Sequence, residues 1–250
     1  MNSDDEKLMR ITRFYCPELN EDKDLYILPD AAHRHAVQVL RLKQGDTLRL
    51  FDGRGLELDA QLDLVSKRES SVRLLSKVAV NNESPLTITL LQGISRGERM
   101  DYALQKAVEL GVTRIIPVAT ERCNVQLSSG RDEKRWAHWQ GIVISACEQS
   151  GRSVLPELSN VMSVEESLTE NKLGCRLVLD PLAEKGFTAL ERQQNITLFI
   201  GPEGGLSEPE IRQAQLAGFQ SVCFGPRILR TETATVAALA VVQTLWGDLG

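Results

Sequence analysis

Two arginines share the stretch "FGPRILRTETA" (224–234), where an apolar strand end turns through Gly-Pro into a helix start. Guanidinium groups at Arg227 and Arg230, on the rim of a strand-loop-helix crevice, can hold an anion or stabilise an oxyanion that forms during a reaction. In the helix that follows, Thr231 or Thr233 is placed to act as the N-cap. Glu232 falls in the first turn, where the helix dipole favours an acid. A second stretch, "LFIGPEGGLSEPEI" (198–211), has Gly201, Gly204 and Gly205 where the backbone must turn sharply or approach a ligand closely. Ser207 and Glu210 form an S-x-x-E capping box with Pro209 inside the first turn, so the glycine loop ends at a fixed helix start. The amides of such a loop can bond a purine edge or a carboxylate, and Pro202 restricts its path. On these residues alone a plain tight turn explains "GPEGG", and an ion pair of Arg230 with Glu203 or Glu232 competes evenly with an anion site.

Other chemistries are excluded more firmly. Neither G-x-G-x-x-G nor G-x-x-x-x-G-K-[ST] occurs at a strand-to-helix turn, which argues against dinucleotide and P-loop sites. "GISRG" (93–97) matches the nucleophile elbow only by chance. Three histidines and five scattered cysteines (Cys16, Cys123, Cys147, Cys175, Cys223) provide no metal-ligand spacing, and the cysteines read as reduced thiols of a cytoplasmic protein. A net charge of −5 opposes indiscriminate nucleic-acid coating but leaves room for a local patch such as "HRHAVQVLRLK" (33–43). The longest apolar run, in "ATVAALAVVQTLW" (234–246), is shorter than the roughly 20 residues a bilayer span needs. No signal-peptide pattern precedes the domain sequence. Residues 1–8 read as a frayed polar extension, with Met9 able to serve as the start.

The elements that must position these residues fall into two rhythms. After a helix over about Asp30 to Leu40, capped by Asp30, the segment to about residue 80 reads as short strands of a small antiparallel barrel or sheet. Polar "NNESP" (81–85) marks the boundary between a 9–80 domain and an 86–250 domain. Beyond it, "LTITLLQ", "RIIPVAT", "CRLVLDP", "ITLFIGPEGG" and "SVCFGPR" alternate with helical patterns. Met100, Ala103, Leu104, Ala107 and Val108 share one helical face that ends at Gly111, and Trp136, Trp139, Ile142, Val143 and Ala146 share another. Such alternation predicts an α/β domain with a mostly parallel sheet and a ligand crevice at the carboxyl ends of its strands.

The order and spacing of "HAVQVLRLKQGD" (35–46), "SRGERMDYALQKAVELGV", "ERC" (121–123), "ACEQSGR" (146–152), "IGPEGGLSEPEI" and "FGPRILRTETA" resemble the bacterial RsmE family of 16S ribosomal RNA uridine-N3 methyltransferases, of the SPOUT superfamily. The resemblance covers the chain from Met9 on; Phe224 stands where leucine is commoner. It implies a PUA-like N-terminal barrel, a C-terminal domain closed by a trefoil knot, a homodimer, and S-adenosylmethionine as methyl donor. Carried over by position, it sets the cofactor against Leu179, Asp180 and Pro181, against Ile200, Gly201, Pro202, Glu203, Gly204 and Gly205, and against Phe224, Gly225, Arg227, Ile228, Leu229, Arg230 and Thr231.

The implied chemistry explains the arginines. The neutral imide nitrogen of uridine has no free lone pair, so its proton must leave and the resulting charge on the base oxygens must be stabilised. Arg230 is the expected electrostatic group and Glu232 the expected proton acceptor. Arg13, Arg34, His35, Arg41, Arg122, Glu148 and Arg152 are the expected RNA contacts. The substrate is expected to be 16S RNA, within the small subunit, with no membrane partner and no metal. Another RNA methylation, on ribose 2'-O or a transfer-RNA base, and a non-catalytic RNA-binding assembly factor are the alternatives.

Overall fold

The computed structural model describes residues 11–79, 82–123, 129–170, 172–187 and 190–250, with the side chains of 129–132 outside that description. The extension at 1–8 and the start at Met9 lie outside the described residues. The chain divides into two units, Met1–Glu83 with Cys147–Leu155, and Ser84–Ala146 with Pro156–Gly250.

In the first unit five strands run in the order β1-β3-β4-β5-β2. These are β1 (Arg13–Tyr15), β2 (Leu25–Ile27), β3 (Thr47–Phe51), β4 (Glu57–Val65) and β5 (Ser70–Lys77). β1 lies parallel to β3, with Arg13 opposite Arg49, and the other pairs are antiparallel. Alternation along β4 sends Leu58, Ala60 and Leu62 into a core with Phe14, Leu48, Leu50 and Val72. A register shift after Leu62 then turns Leu64 outward. The single helix expected here is two pieces: α1 (Asp30–His33), whose N-cap is Pro29 while Asp30 sits in the first turn, and a π-helical segment over Arg34–Val39. His33 and Ala36 anchor it, His33 Nδ1 lying 2.9 Å from Ser70 Oγ, and the wide turn leaves Val39 67% exposed. Arg41 follows with φ +57°, a left-handed conformation that costs a residue with a β-carbon.

The segment 147–155 joins this unit through charge. Arg13 binds Glu57 with two nitrogens (3.0 and 2.7 Å) and donates to the carbonyls of Cys147 (2.6 Å) and Arg152 (3.1 Å). Arg152 in turn places Nε and Nη2 at 2.9 and 2.7 Å from Glu83 Oε2. Glu148 accepts from the Tyr15 amide at 3.0 Å.

The second unit holds a parallel sheet ordered β12-β10-β11-β6-β7-β8, with β9 also pairing β7. Its strands are β6 (Thr87–Gly93), β7 (Arg114–Ala119), β8 (Glu157–Leu158), β9 (Met162–Ser163), β10 (Cys175–Leu179), β11 (Asn195–Ile200) and β12 (Gln220–Val222). The helices are α2 (Glu98–Glu109), α3 (Ser129–Ser150), α4 (Val164–Thr169), α5 (Glu208–Leu216) and α6 (Thr231–Trp246). β6 is buried from Ile88 to Gly93 without alternation, as a strand covered on both faces must be. Met100, Ala103, Leu104, Ala107 and Val108 form the buried face of α2, as its periodicity requires. Leu91, Val118, Val178, Phe199, Phe219 and Leu206 belong to one core cluster at the strand ends. Because β10 pairs with both β11 and β12, the residues that follow these three strands emerge side by side. Among the described residues no helix is long and apolar enough to cross a membrane.

Candidate active site

A cavity of about 630 Å³ opens where β10, β11 and β12 end. Its wall from β10 is Leu179 to Leu182, its wall from β11 is Ile200 to Leu206, and its third wall is Val222 to Gly225 with Arg227 to Leu229, Thr231 and Ala234. All the residues expected to hold the cofactor line it, except Arg230. Arg230 is instead the N-cap residue of α6, with its side chain exposed. Neither Thr231 nor Thr233 takes the N-cap: Thr231 is the first helical residue, and its hydroxyl donates to the carbonyl of Gly201 at 2.7 Å.

Four side chains hold the 201–206 turn. Besides Thr231, Glu203 Oε1 accepts from the Arg96 amide (2.9 Å) and from Arg99 Nη1 (3.2 Å). Burial opposes ionisation of this carboxyl, but those donors and the Arg99 charge outweigh it and hold it below the usual glutamate range. Arg122 Nη1 donates to the carbonyls of Gly204 (3.0 Å) and Leu206 (3.3 Å). Glu210 accepts from the Ser207 amide and from the Glu121 amide, both at 2.7 Å, so the helix-starting glutamate also fastens the 120–123 turn to the glycine loop. Gly205 has φ +69°, and a β-carbon at Gly93 would lie 2.6 Å from both Pro202 N and Pro202 Cδ. The loop therefore needs glycine at both places, one for conformation and one for space.

The competing ion pair does not form. Glu203 pairs with Arg99, and among the described residues the guanidinium groups of Arg227 and Arg230 have no hydrogen-bond or ion-pair partner. Glu232 Oε2 is buried without a partner. Arg227 thus lines the cavity as an uncompensated cation, Arg230 is an exposed and uncompensated cation at the adjoining helix start, and the partnerless Glu232 oxygen is buried outside the lining. An anionic or electron-rich group entering the cavity would satisfy the guanidinium groups, whereas the carboxylate oxygen needs a hydrogen-bond donor.

The expected RNA contacts separate. Arg34 and Arg41 are exposed on and after the π-helical segment, His35 packs edge-on to Phe14 with ring centroids 5.6 Å apart, and Arg122 is exposed beside the glycine loop. Arg13, Glu148 and Arg152 lie together in the internal cluster of the first unit, and Arg152 is 4% exposed. The guanidinium groups of Arg13 and Arg152 face carboxylates and, for Arg13, carbonyls, while Glu148 accepts from the Tyr15 amide. Sequence reading also missed Gln92, Arg96 and Arg99. Gln92 left a signal, since an amide closing an otherwise apolar strand is costly unless every polar atom is bonded.

Residues 82–243 match the model of an RNA methyltransferase domain, and residues 28–75 match that of an RNA methyltransferase PUA domain. The chain is 36% identical over 244 residues to the ribosomal RNA small subunit methyltransferase E of Buchnera aphidicola from Schizaphis graminum, covering 96% of this chain and 98% of that one. The chain belongs to the ribosomal RNA small subunit methyltransferase E family. The family member from Neisseria gonorrhoeae, solved bound to S-adenosylmethionine, superposes with a TM-score of 0.90 at 44% identity, over 96% of this chain and all of that one (100%). A methyltransferase from Legionella pneumophila, also solved with S-adenosylmethionine, gives 0.93 at 41% identity, with coverage of 96% and 100%.

Proposed function

We propose that the chain transfers a methyl group from S-adenosylmethionine to N3 of a uridine in 16S ribosomal RNA of the small subunit. The observation that carries this reading is the cavity that gathers three strand ends, has apolar walls and is lined by the unpartnered guanidinium of Arg227, with that of Arg230, also unpartnered, at the adjoining N-cap of α6. Its volume of about 630 Å³ lies in the range of small-molecule sites. Leu179, Leu206, Ile228 and Leu229 suit the apolar parts of the nucleoside and methionine, and the bare backbone of 201–205 suits the edge of a purine. Bound there, the sulfonium supplies an activated methyl group, so the protein has only to align the acceptor and help it lose a proton.

Two residues serve the acceptor. Arg230, at the N-cap, presents its guanidinium to the uracil oxygens as negative charge spreads over them. Glu232, in the first turn of the same helix, offers its unpartnered oxygen to the N3 proton. Because N3 lies on the pairing edge, the target base must leave its stack to enter. Arg34, Arg41 and Arg122 are read as RNA phosphate contacts, supported by their exposure.

Three further features belong to the same reading. The segment from β12 into α6 is taken as the threaded part of a trefoil knot, supported by its contacts with both the 201 turn and the end of β6. The first unit is taken as a PUA-like barrel, supported by the match of residues 28–75. A homodimer belongs to the same reading, and the apolar depression lined by Phe187, Phe224, Leu229 and Val241 is a surface that a second copy would cover.

The test is nucleoside analysis of 16S RNA after small subunits from cells lacking this activity are incubated with the purified chain and the methyl donor. The expected product is 3-methyluridine, lost with Arg230→Ala while donor binding persists. A methyl group on ribose or on another base, or full turnover by Arg230→Ala, overturns the reading or the role.

A further inference from the structure

Between the sheet and the cavity runs a buried hydrogen-bond chain with one direction. Gln92, at 0% exposure, donates from Nε2 to Thr231 Oγ1 (3.1 Å) and to the Gly93 carbonyl (3.2 Å). Its Oε1 accepts from Thr235 Oγ1 at 2.7 Å, and Thr231 Oγ1 donates onward to the Gly201 carbonyl at 2.7 Å. The polarity follows from the end groups. A carbonyl can only accept, so the hydroxyl proton of Thr231 points to Gly201, and the same oxygen must then receive a proton from the amide of Gln92. That leaves Oε1 turned to Thr235.

A core needs no such chain for packing, because an apolar side chain of similar size fills the same space without polar atoms to satisfy. What this one does is tie three elements: the end of β6, the turn after β11, and the first turn of α6. The last two both line the cavity and meet at the bond from Thr231 to Gly201.

We propose that Gln92 is a positioning residue for methyl transfer. Through the single proton of Thr231 it fixes the Gly201 carbonyl and the start of α6 at one spacing, and so sets the helix start that carries Arg230 and Glu232 against the cofactor turn. The proposal rests on the cavity being the S-adenosylmethionine site. Glutamate at 92 breaks the polarity, since two acceptors would then compete for the one Thr231 proton; methionine removes the chain and keeps the volume.

The test measures melting temperature, S-adenosylmethionine affinity by calorimetry, and single-turnover rate on small subunits for the wild type, Gln92→Glu, Gln92→Met, Thr235→Val and Thr235→Ser. Gln92→Glu and Gln92→Met are expected to lose donor affinity and at least about tenfold in rate, as small misplacements of aligned groups do. Thr235→Val is expected to follow them, and Thr235→Ser, which keeps the hydroxyl, to restore wild-type values. If the position-92 variants fail to fold, the valine and serine pair decides. Equal behaviour of that pair, whether both normal or both impaired, overturns the proposal. A wild type that binds no S-adenosylmethionine overturns the cavity assignment instead.

Discussion

Arginines in this chain do three different jobs, and only the first was legible from neighbouring residues. Arg227 and Arg230 stand between a strand end and a helix start, where Arg227 lines the crevice and Arg230 is the exposed N-cap. Arg13 and Arg152 look no different from Arg34 in sequence, yet their partners Glu57 and Glu83 lie 44 and 69 residues away, and pairing across such separations leaves no local pattern. Arg176 is buried in β10, donates to the carbonyls of Leu168 and Ala217 and packs 4.1 Å from the centroid of Phe219. It closes the carboxyl ends of two helices, and burial lowers its pKa. Glu148, within the same cluster as Arg13, gives a stability prediction. Burial raises its pKa, against the opposing effects of the Tyr15 amide and of His35 and Arg13. An acid whose folded pKa is raised destabilises the fold when ionised; that penalty is complete above the folded pKa and vanishes below the unfolded one. Glu148→Gln is therefore expected to raise the melting temperature at about pH 8 and to match the wild type near about pH 4. Equal melting at the higher pH, or a lower value for the variant, contradicts this.

Among the elements, long periodic segments were readable and short ones were not. The buried face of α2, the stop at Gly111 (φ +77°) and the Ser207 to Glu210 helix start follow from side-chain spacing. β1 and β2 have three residues each, too few for an alternation to register, and the π-helical segment differs from an α-helix only in its bonding. The cap of α1 falls one residue earlier than the side chains suggest and that of α6 one or three, because Asp30 sits inside the first turn and the Thr231 hydroxyl bonds Gly201. A close inter-element approach at the site also had no local signature. Gly93 must pass the 201–202 backbone, so Gly93→Ala forces the turn outward. It is expected to destabilise the chain by about 1–3 kcal/mol and to weaken S-adenosylmethionine binding, read by thermal melts and calorimetry. Wild-type values in both would show that the turn has slack.

At the scale of the whole molecule, alternation of strands and helices identified a parallel sheet, but not its order. That β10 sits between β11 and β12 is a tertiary fact, and it is what brings Asp180, Gly201 and Cys223 together. Likewise nothing in "CEQSGRSVL" (147–155) announces that it belongs with the first unit; its ties run through Arg13, Glu83 and the Gly53 carbonyl, which accepts from the Leu155 amide at 3.0 Å. The family motifs succeeded because they record such remote neighbours as fixed residues in a fixed order. Every functional reading above depends on the cavity holding the methyl donor beside Arg230. A crystal structure grown with S-adenosylmethionine tests that most directly. The account expects its density between the 201–205 turn and the 224–231 segment, with the sulfonium toward the start of α6; density bound elsewhere, or an empty cavity at saturating donor, would contradict it.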